Sequence, residues 1–518
     1  MRVAPWFLVL LFVACSGTGD ATAHPAWVRE SLLLKNNRRS TDTDSQRAAA
    51  VKQAFQTAWD GYQDHALPHD QLHPLTNSSD DALGGWGASA IDALSTAVVM
   101  GNADVVKKIV SLIPAINFTS SSPGTISLFE TTIRYLGGLL AGYDLLKGPA
   151  ASLAASPDTV ETILAQAQSL ADSLKYAFNT PTGIPYNYLD LNSKSHDNAQ
   201  TNGLATVGTL VLEWSHLADL TGNAEYGTIS QKAESYLLNP QPAWTQPFPG
   251  LVGTNVAIET GLFQDNYVGW VAGDDSFYEY LIKMYVYDPS RFAPYKDRWV
   301  AAAESTMSHL ASSPTSRPDL TFLDVYNNGT YNLESQHLAC FAGGNFLLGG
   351  SVLGRQDLIN FGLKLVDGCH ETYVKTATGI GPESFGWNNA TVPASQLAFY
   401  QDAGFYIINP EYILRPEVLE SIYYAYRITG DQKYRDWSWA AFTAIDQTTR
   451  AGSGFSGISN VNIPGGGSFD DVQQSFLFAE VFKYSYLIQT DGEEWQVSGS
   501  GHNQFVFNTE AHPLRVAG

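Results

Sequence analysis

"LRPEVLESIYYAYRITGDQKYRDW" occupies residues 414–437. Pro416 suits a first helical position, where its missing N–H is not needed. Glu417 and Glu420 then share one helical face. "ITGDQKY" (428–434) is a turn: glycine fits the left-handed residue just past a helix end, and the aspartate can open the next helix. The same punctuation recurs as "MGNADV" (100–105), "LTGNAEY" (220–226) and "LGRQDL" (353–358). Each follows one helical pattern and precedes another. Short turns between paired helices, repeated along a chain, predict stacked helical hairpins, either open as a solenoid or closed as a ring.

The hydrophobic periodicity agrees. Val51, Phe55, Trp59 and Tyr62 recur at spacings of four, four and three. Phe129, Ile133, Leu136, Leu140 and Tyr143 form a second such series, and Ile163, Ala167, Leu170, Leu174 and Ala177 a third. Alternation of the strand type is scarce until the end. There "EEWQVSGSGHNQFVFNTEAHP" (493–513) reads as strand, Gly/Ser turn, strand. Such a hairpin could plug a closed helical barrel or decorate its edge. No linker interrupts residues 46–513, so they read as one domain, preceded by a polar tether at 23–45.

Residues 1–22 read as a secretory signal. Arg2 gives a basic start, and the apolar run Trp6–Cys15 is too short for the ~20 residues of a membrane span. Four sequons, at Asn77, Asn117, Asn328 and Asn389, suit N-glycosylation on that route. Past the signal only Cys340 and Cys369 remain, which in an oxidising compartment reads as one disulfide, with two buried thiols as the alternative. A net charge of −22 and a pI of 4.8 exclude an ordinary nucleic-acid binder. They suit a soluble, exported protein with no stable membrane span.

The acids pose the chemical question. In "GDDSFYEYLIKMYVYDP" (273–289), Asp275 and Glu279 lie on one face of a helix that is otherwise nearly all apolar. Like charges at that spacing cost an isolated helix roughly 0.2–0.5 kcal/mol. "SLFETTIRYLGGLLAGY" sets Glu130 and Arg134 on one face, followed by Gly137, Gly138 and Ala141, small enough for another group to approach closely. "QQSFLFAEVFKYSYL" embeds Glu480 among Phe476, Leu477, Phe478, Val481 and Phe482. Buried carboxylates need a partner. Arg134, Arg415 or a hard metal ion could provide it. Zinc is poorly supported, since there is no HExxH motif and no cysteine cluster. Calcium takes six to eight oxygens, and without an EF-hand loop those would come from distant segments. No G-x-S-x-G elbow, phosphate-binding loop or dinucleotide fingerprint is present, and "PGGGS" (464–468) reads as a plain loop. Many acids with 12% aromatics make glycoside hydrolysis by paired carboxylates the leading class.

Six blocks extend the reading: "FETTIRYLGGLLAGYDL", "DDSFYEYLIK", "GPESF", "LRPEVLESIYYAYRITGDQKYRDW", "QSFLFAEVFKYSYLI" and "FNTEAHP". In this order they resemble the signature blocks of class I α-1,2-mannosidases, glycoside hydrolase family 47, and above all its secreted fungal members. The resemblance runs from about residue 84 to 513. It implies an all-α fold, an (αα)7 barrel plugged by the C-terminal β-hairpin, with calcium at the bottom of the cavity. It implies an inverting hydrolase acting as a monomer on terminal α-1,2-linked mannose of high-mannose oligosaccharides, with the ion touching hydroxyls of the terminal sugar.

By the same resemblance Glu130 is the general acid, acting through water, and Asp275 and Glu417 are further essential carboxylates, Glu417 as the base. Glu383 matches another active-site acid. Thr509 matches the direct protein ligand to calcium, with water held by acids such as Glu420, Glu480 and Glu510. Arg134, Arg415 and Glu279 face the cavity, Phe476 lies under the terminal sugar, and Cys340 pairs with Cys369. Calcium plus arginine then offsets the repulsion between Asp275 and Glu279. Gly273 stands where endoplasmic-reticulum members carry an arginine, which implies a wide cavity and a broad, Golgi-like trimming of several mannoses. A glycan-binding protein that does not cut is the main alternative, and another helical-barrel enzyme such as a lyase is a weaker one.

Overall fold

The computed structural model describes the backbone of residues 26–517 and the side chains of residues 43–517. The signal expected at 1–22 lies outside the described residues. The chain divides into two units, Met1–Gln46 and Arg47–Gly518. Within the first, the stretch expected as a tether is helical from Ala26, where helix α1 (Ala26–His65) begins. The second unit carries the remaining architecture.

Fourteen helices of the described residues form pairs. Helix α2 (Ala88–Val99) pairs with α3 (Ala103–Leu112), and α4 (Gly137–Lys147) with α5 (Pro157–Leu174). Next come α6 (Val211–Thr221) with α7 (Ala224–Leu238), and α8 (Asp275–Tyr287) with α9 (Ala293–Ser305). The series continues with α10 (Phe341–Leu353) and α11 (Gln356–Val374), then α12 (Glu417–Thr429) and α13 (Gln432–Thr449). The last helix, α14 (Phe482–Leu487), packs on α1 through Phe482 and Phe55, whose rings cross edge to face at 5.9 Å. The even-numbered helices pack side by side from α2 round to α14, and α14 with the π turn Leu477–Val481 returns to α2. The ring is therefore closed, with seven inner and seven outer helices among the described residues.

All four expected turns close their pairs. Gly101, Gly222, Gly354 and Gly430 hold φ of 68°, 70°, 64° and 69°, the left-handed conformation that a β-carbon would penalise. The side chains of Asn102, Asn223 and Asp431 then accept a backbone N–H of the following helix. Residues 430–431 thus end one helix and start its partner, as their spacing predicts.

Two expectations are corrected. Strands are not confined to the C-terminus: short pieces of two to four residues form small antiparallel sheets in the connections. They are too short to produce a legible alternation. The C-terminal hairpin also sits later than 493–513. Its strands are Phe505–Phe507 and Pro513–Arg515, paired Phe505 to Arg515. The turn is 508–512 rather than the Gly/Ser stretch. Asn508 shapes it, its Oδ1 accepting the N–H groups of Glu510 and His512 at 2.9 and 2.8 Å. Such an Asx-type bond can stand in for the glycine that a tight turn otherwise asks for.

This turn plugs the ring. Asn508 Nδ2 donates to the Ile133 carbonyl and to Glu213, Lys283 reaches the Asn508 carbonyl, and Lys483 reaches that of Ala511. The small residues of α4 are what admit it. A β-carbon on Gly137 would lie 2.5 Å from Asn508 Nδ2, and one on Gly138 3.3 Å from the His512 ring. Among the described residues, no helix is long and apolar enough to cross a membrane.

Candidate active site

A cavity of about 340 Å³ opens inside the ring above this turn. Phe129, Glu130, Arg134, Gly273, Asp275, Glu279, Arg415, Glu417, Glu420, Phe476, Glu480, Thr509 and Glu510 all line it. Residues separated by up to 381 positions thus share one space. Of the expected site residues Glu383 alone is not in the lining; it stands behind Arg415, which donates to it from Nε and Nη2 at 2.6 and 2.5 Å.

Local structure explains how each acid is aimed. Ser127 caps the helical turn Leu128–Thr131 by accepting the Glu130 N–H, and a π turn, Thr132–Leu136, follows. A second π turn, Leu477–Val481, carries Glu480. Such turns widen a helix by one residue and often mark functional sites. Arg134 donates through Nε and Nη2 to Glu130 Oε2 at 2.9 and 2.7 Å. Its Nη1 lies 2.7 Å from Glu510 and 3.8 Å from Asp92, and its guanidinium lies 5.5 Å from the centre of the Phe476 ring. Burial opposes the Arg134 charge, but Glu510, Glu130 and Asp92 outweigh it and raise the pKa.

Helix α8 begins at Asp275. Burial, then the charges of Glu279 and Glu417, pushes the Asp275 carboxyl up to about 7. Glu279 is paired with Lys283 one turn on, and both are buried. A lysine of the same helix, which the sequence reading did not single out, thus adds to the groups expected to offset the repulsion on this face. Lys283 is 1% exposed, a lysine buried on a helix that is otherwise nearly all apolar.

Glu417 opens α12. Burial works to raise its pKa, yet the net shift is downward. His337 Nδ1 bonds Glu417 Oε2 at 2.6 Å, and the charge of Arg415 adds to that effect. Asp275 and Glu417 therefore face the same cavity with pKa values driven apart, one toward holding a proton and one toward losing it.

The floor is crowded with carboxylates. Burial first, then Glu279 and Glu417, pushes Glu420 well above its ordinary range. Burial also raises Glu480, reinforced by Glu510, Glu417, Glu420 and Glu279. Glu510 is raised by burial against the pull of Arg134, and its buried Oε2 has no hydrogen-bond partner. Thr509 lies in the hairpin turn beside them, its N–H donating to the Tyr280 hydroxyl at 3.2 Å. An all-oxygen donor set with an orphaned carboxylate oxygen fits a hard divalent cation such as calcium.

Some of the polar network escaped the sequence. Asp92, Glu510 and His512 form a buried group whose candidate ligand atoms lie within 4.8 Å of one another, a set that could hold a metal ion. His512 also bonds Ser95 at 3.0 Å, and Lys483, driven by burial down to about 7, donates to Ser95 at 2.8 Å. Glu213, pushed by burial up to about 8, accepts from Tyr280 and Asn508 at 2.6 and 2.8 Å. None of Asp92, Glu213 or His337 sits in a motif with metal-ligand or catalytic spacing. Only the fold joins them to the polar network around the cavity, His337 through Glu417, Asp92 through Arg134 and Glu213 through Asn508. The disulfide Cys340–Cys369 is present, with Cα atoms 5.9 Å apart. Asn77, Asn117, Asn328 and Asn389 are all exposed.

Residues 54–516 match Glycosyl hydrolase family 47. The chain is 60% identical over 510 residues to mannosyl-oligosaccharide alpha-1,2-mannosidase 1B of Aspergillus phoenicis, covering 98% of this chain and 99% of that protein. It is 58% identical over 499 residues to the mannosyl-oligosaccharide alpha-1,2-mannosidase of Penicillium citrinum, covering 96% and 97% respectively. Among solved structures, the alpha-1,2-mannosidase from Trichoderma reesei superposes with a TM-score of 0.90 at 52% identity, covering 91% of this chain and 99% of that one. A closed ring of helix pairs, an acid-lined cavity plugged by the C-terminal turn, and a match that spans nearly the whole sequence lead to one conclusion: the chain belongs to glycosyl hydrolase family 47.

Proposed function

We propose that the chain is a calcium-dependent, inverting α-1,2-mannosidase that removes terminal mannose from high-mannose N-glycans. The observation that carries the reading is the convergence of Glu130, Asp275 and Glu417 on one cavity that Thr509 also lines. The names of its relatives as mannosyl-oligosaccharide alpha-1,2-mannosidases support the linkage and the substrate class.

In this mechanism Glu417 is the base. It is held ionised, and with Oε2 engaged by His337, Oε1 takes the proton of the attacking water. Glu130 delivers a proton to the leaving oxygen through water, oriented by the two bonds from Arg134. Asp275, poised near neutrality, hydrogen-bonds the reacting sugar and spares the cavity a second full negative charge beside Glu417. Phe476 offers an apolar face to the terminal ring, Arg134 and Arg415 bind its hydroxyls, and Glu383 keeps the Arg415 guanidinium aligned. Thr509 would hold the calcium ion through its carbonyl and hydroxyl oxygens, with Glu279, Glu420, Glu480 and Glu510 holding its water. Bound there, the ion would polarise and orient hydroxyls of the terminal mannose. Attack by water on the face opposite the leaving group inverts the anomeric carbon.

The exposed sequon asparagines and the disulfide fit a glycosylated protein of the secretory pathway, acting as a monomer. Gly273 lines the cavity with φ of 98° and only Thr254 near its missing β-carbon, so no side chain narrows the entrance there. Digestion of a nine-mannose glycan tests the reading. Loss of several α-1,2 mannoses is expected. Arrest after a single mannose would overturn the broad specificity, and binding without any release would favour a lectin.

A further inference from the structure

We propose that Tyr373 is a positioning residue for the reaction, fixing through His337 the hydrogen bond that the Glu417 carboxylate receives. This rests on the reading of Glu417 as the base.

His337 is buried, at 1% exposure, and both ring nitrogens are engaged. Nδ1 lies 2.6 Å from Glu417 Oε2 and Nε2 lies 2.7 Å from the Tyr373 hydroxyl. A neutral imidazole has one N–H and one acceptor nitrogen, and the bond at one nitrogen sets the state of the other. A phenol O–H donated to Nε2 leaves the proton on Nδ1, where it can only point at Glu417. Without that phenol the proton is free to move to Nε2. The Nδ1 lone pair would then face a carboxylate oxygen, replacing attraction by repulsion.

The surroundings fix this geometry. Tyr373 is 2% exposed and lies on α11 one turn past Cys369, which is bonded to Cys340, three residues beyond His337. The disulfide thus ties the helix bearing the phenol to the segment bearing the imidazole. Gly381 presses on the ring from the other side, since a β-carbon there would stand 2.7 Å from Tyr373 Cε2. Tyr412, whose own proton goes to the Arg415 carbonyl at 3.0 Å, is a hydrogen-bonding neighbour of the Tyr373 hydroxyl, Arg415 is paired with Glu383, and Asp275, Glu420 and Glu480 stand near Glu417 on the cavity side. Burial, then the neighbouring Tyr412 and Glu417, holds the Tyr373 hydroxyl well above the ordinary phenol range, so it keeps its proton throughout the working range of pH.

The test is Tyr373→Phe, which keeps the ring and removes only the hydroxyl. The expected result is a kcat about tenfold to a hundredfold lower, KM within about threefold, and the acid limb of the kcat–pH profile moved up by about half a unit or more, because Glu417 loses its donor. His337→Gln, alone and combined with Tyr373→Phe, supplies the second measurement. If Tyr373 acts through His337, adding Tyr373→Phe to His337→Gln moves the limb no further. A Tyr373→Phe limb that stays in place, whatever happens to kcat or to thermal stability, overturns the proposal, as does full additivity in the double variant. Failure of the underlying reading is distinguishable: Glu417→Gln would then retain turnover, whereas with Glu417 as base it does not.

Discussion

Glu417→Gln is expected to lower kcat by at least about 10²–10⁴-fold, the usual contribution of one general acid or base. The substitution keeps the size of the side chain and its place at the start of α12 while removing the basic oxygen. His337, which now bonds a carboxylate oxygen at 2.6 Å, would meet a neutral amide. Substrate binding should change little, because sugar contacts come from other walls of the cavity, among them Phe476 and Arg134. Steady-state kinetics with an α-1,2-mannobiose substrate checks it: kcat should fall and KM stay near its original value. Turnover within a few-fold of the parent would remove Glu417 from the mechanism.

The second large effect is removal of the ion. Stripping calcium with a chelator should abolish activity and lower the thermal midpoint, and the loss of stability should grow as pH rises. Glu420, Glu480 and Glu510 are all pushed above the ordinary glutamate range, chiefly by burial, and the charges of neighbouring acids add to it. Their protonated forms are thus favoured by folding in the ion-free protein. That contribution is fully present below the unfolded pKa of about 4.3 and is lost as pH rises through the higher folded values. A cation beside these carboxylates stabilises their charged forms and cancels the loss. The gap between loaded and stripped protein should therefore be small near pH 5 and widest near pH 8. At a free calcium concentration a hundred times its dissociation constant, binding contributes about 2.7 kcal/mol. Calorimetric scans of both forms across that range measure it. A gap that is absent or indifferent to pH would contradict the proposed floor of the cavity.

The architecture was legible because its punctuation is local. A glycine with φ near 70° must sit where a helix stops, and an Asn or Asp beside it can satisfy the next helix, so the turns at 101, 222, 354 and 430 follow from a few residues each. The acids of the cavity were legible for a different reason. Glu480 lies in a run of phenylalanines, and such a residue has no way to stay charged unless the fold makes a polar space for it. What stayed hidden depends on long-range contact. Lys283 belongs to the same helix as Glu279, yet reads as one basic residue in an amphipathic pattern until the hairpin turn arrives above it. Asp92 and His512, 420 positions apart, meet only because the ring closes and its plug enters. The hairpin itself was misplaced because Gly and Ser at 498–501 look like a turn, while the turn actually made is stabilised by the side chain of Asn508.

The most direct measurement for the account as a whole is proton NMR of the first mannose released from α-1,2-mannobiose by the calcium-loaded protein, followed faster than the sugar mutarotates. Water activated by Glu417 on the far side of the ring from a proton supplied through Glu130 must deliver β-mannose first. Appearance of α-mannose, or no release at all, would contradict it.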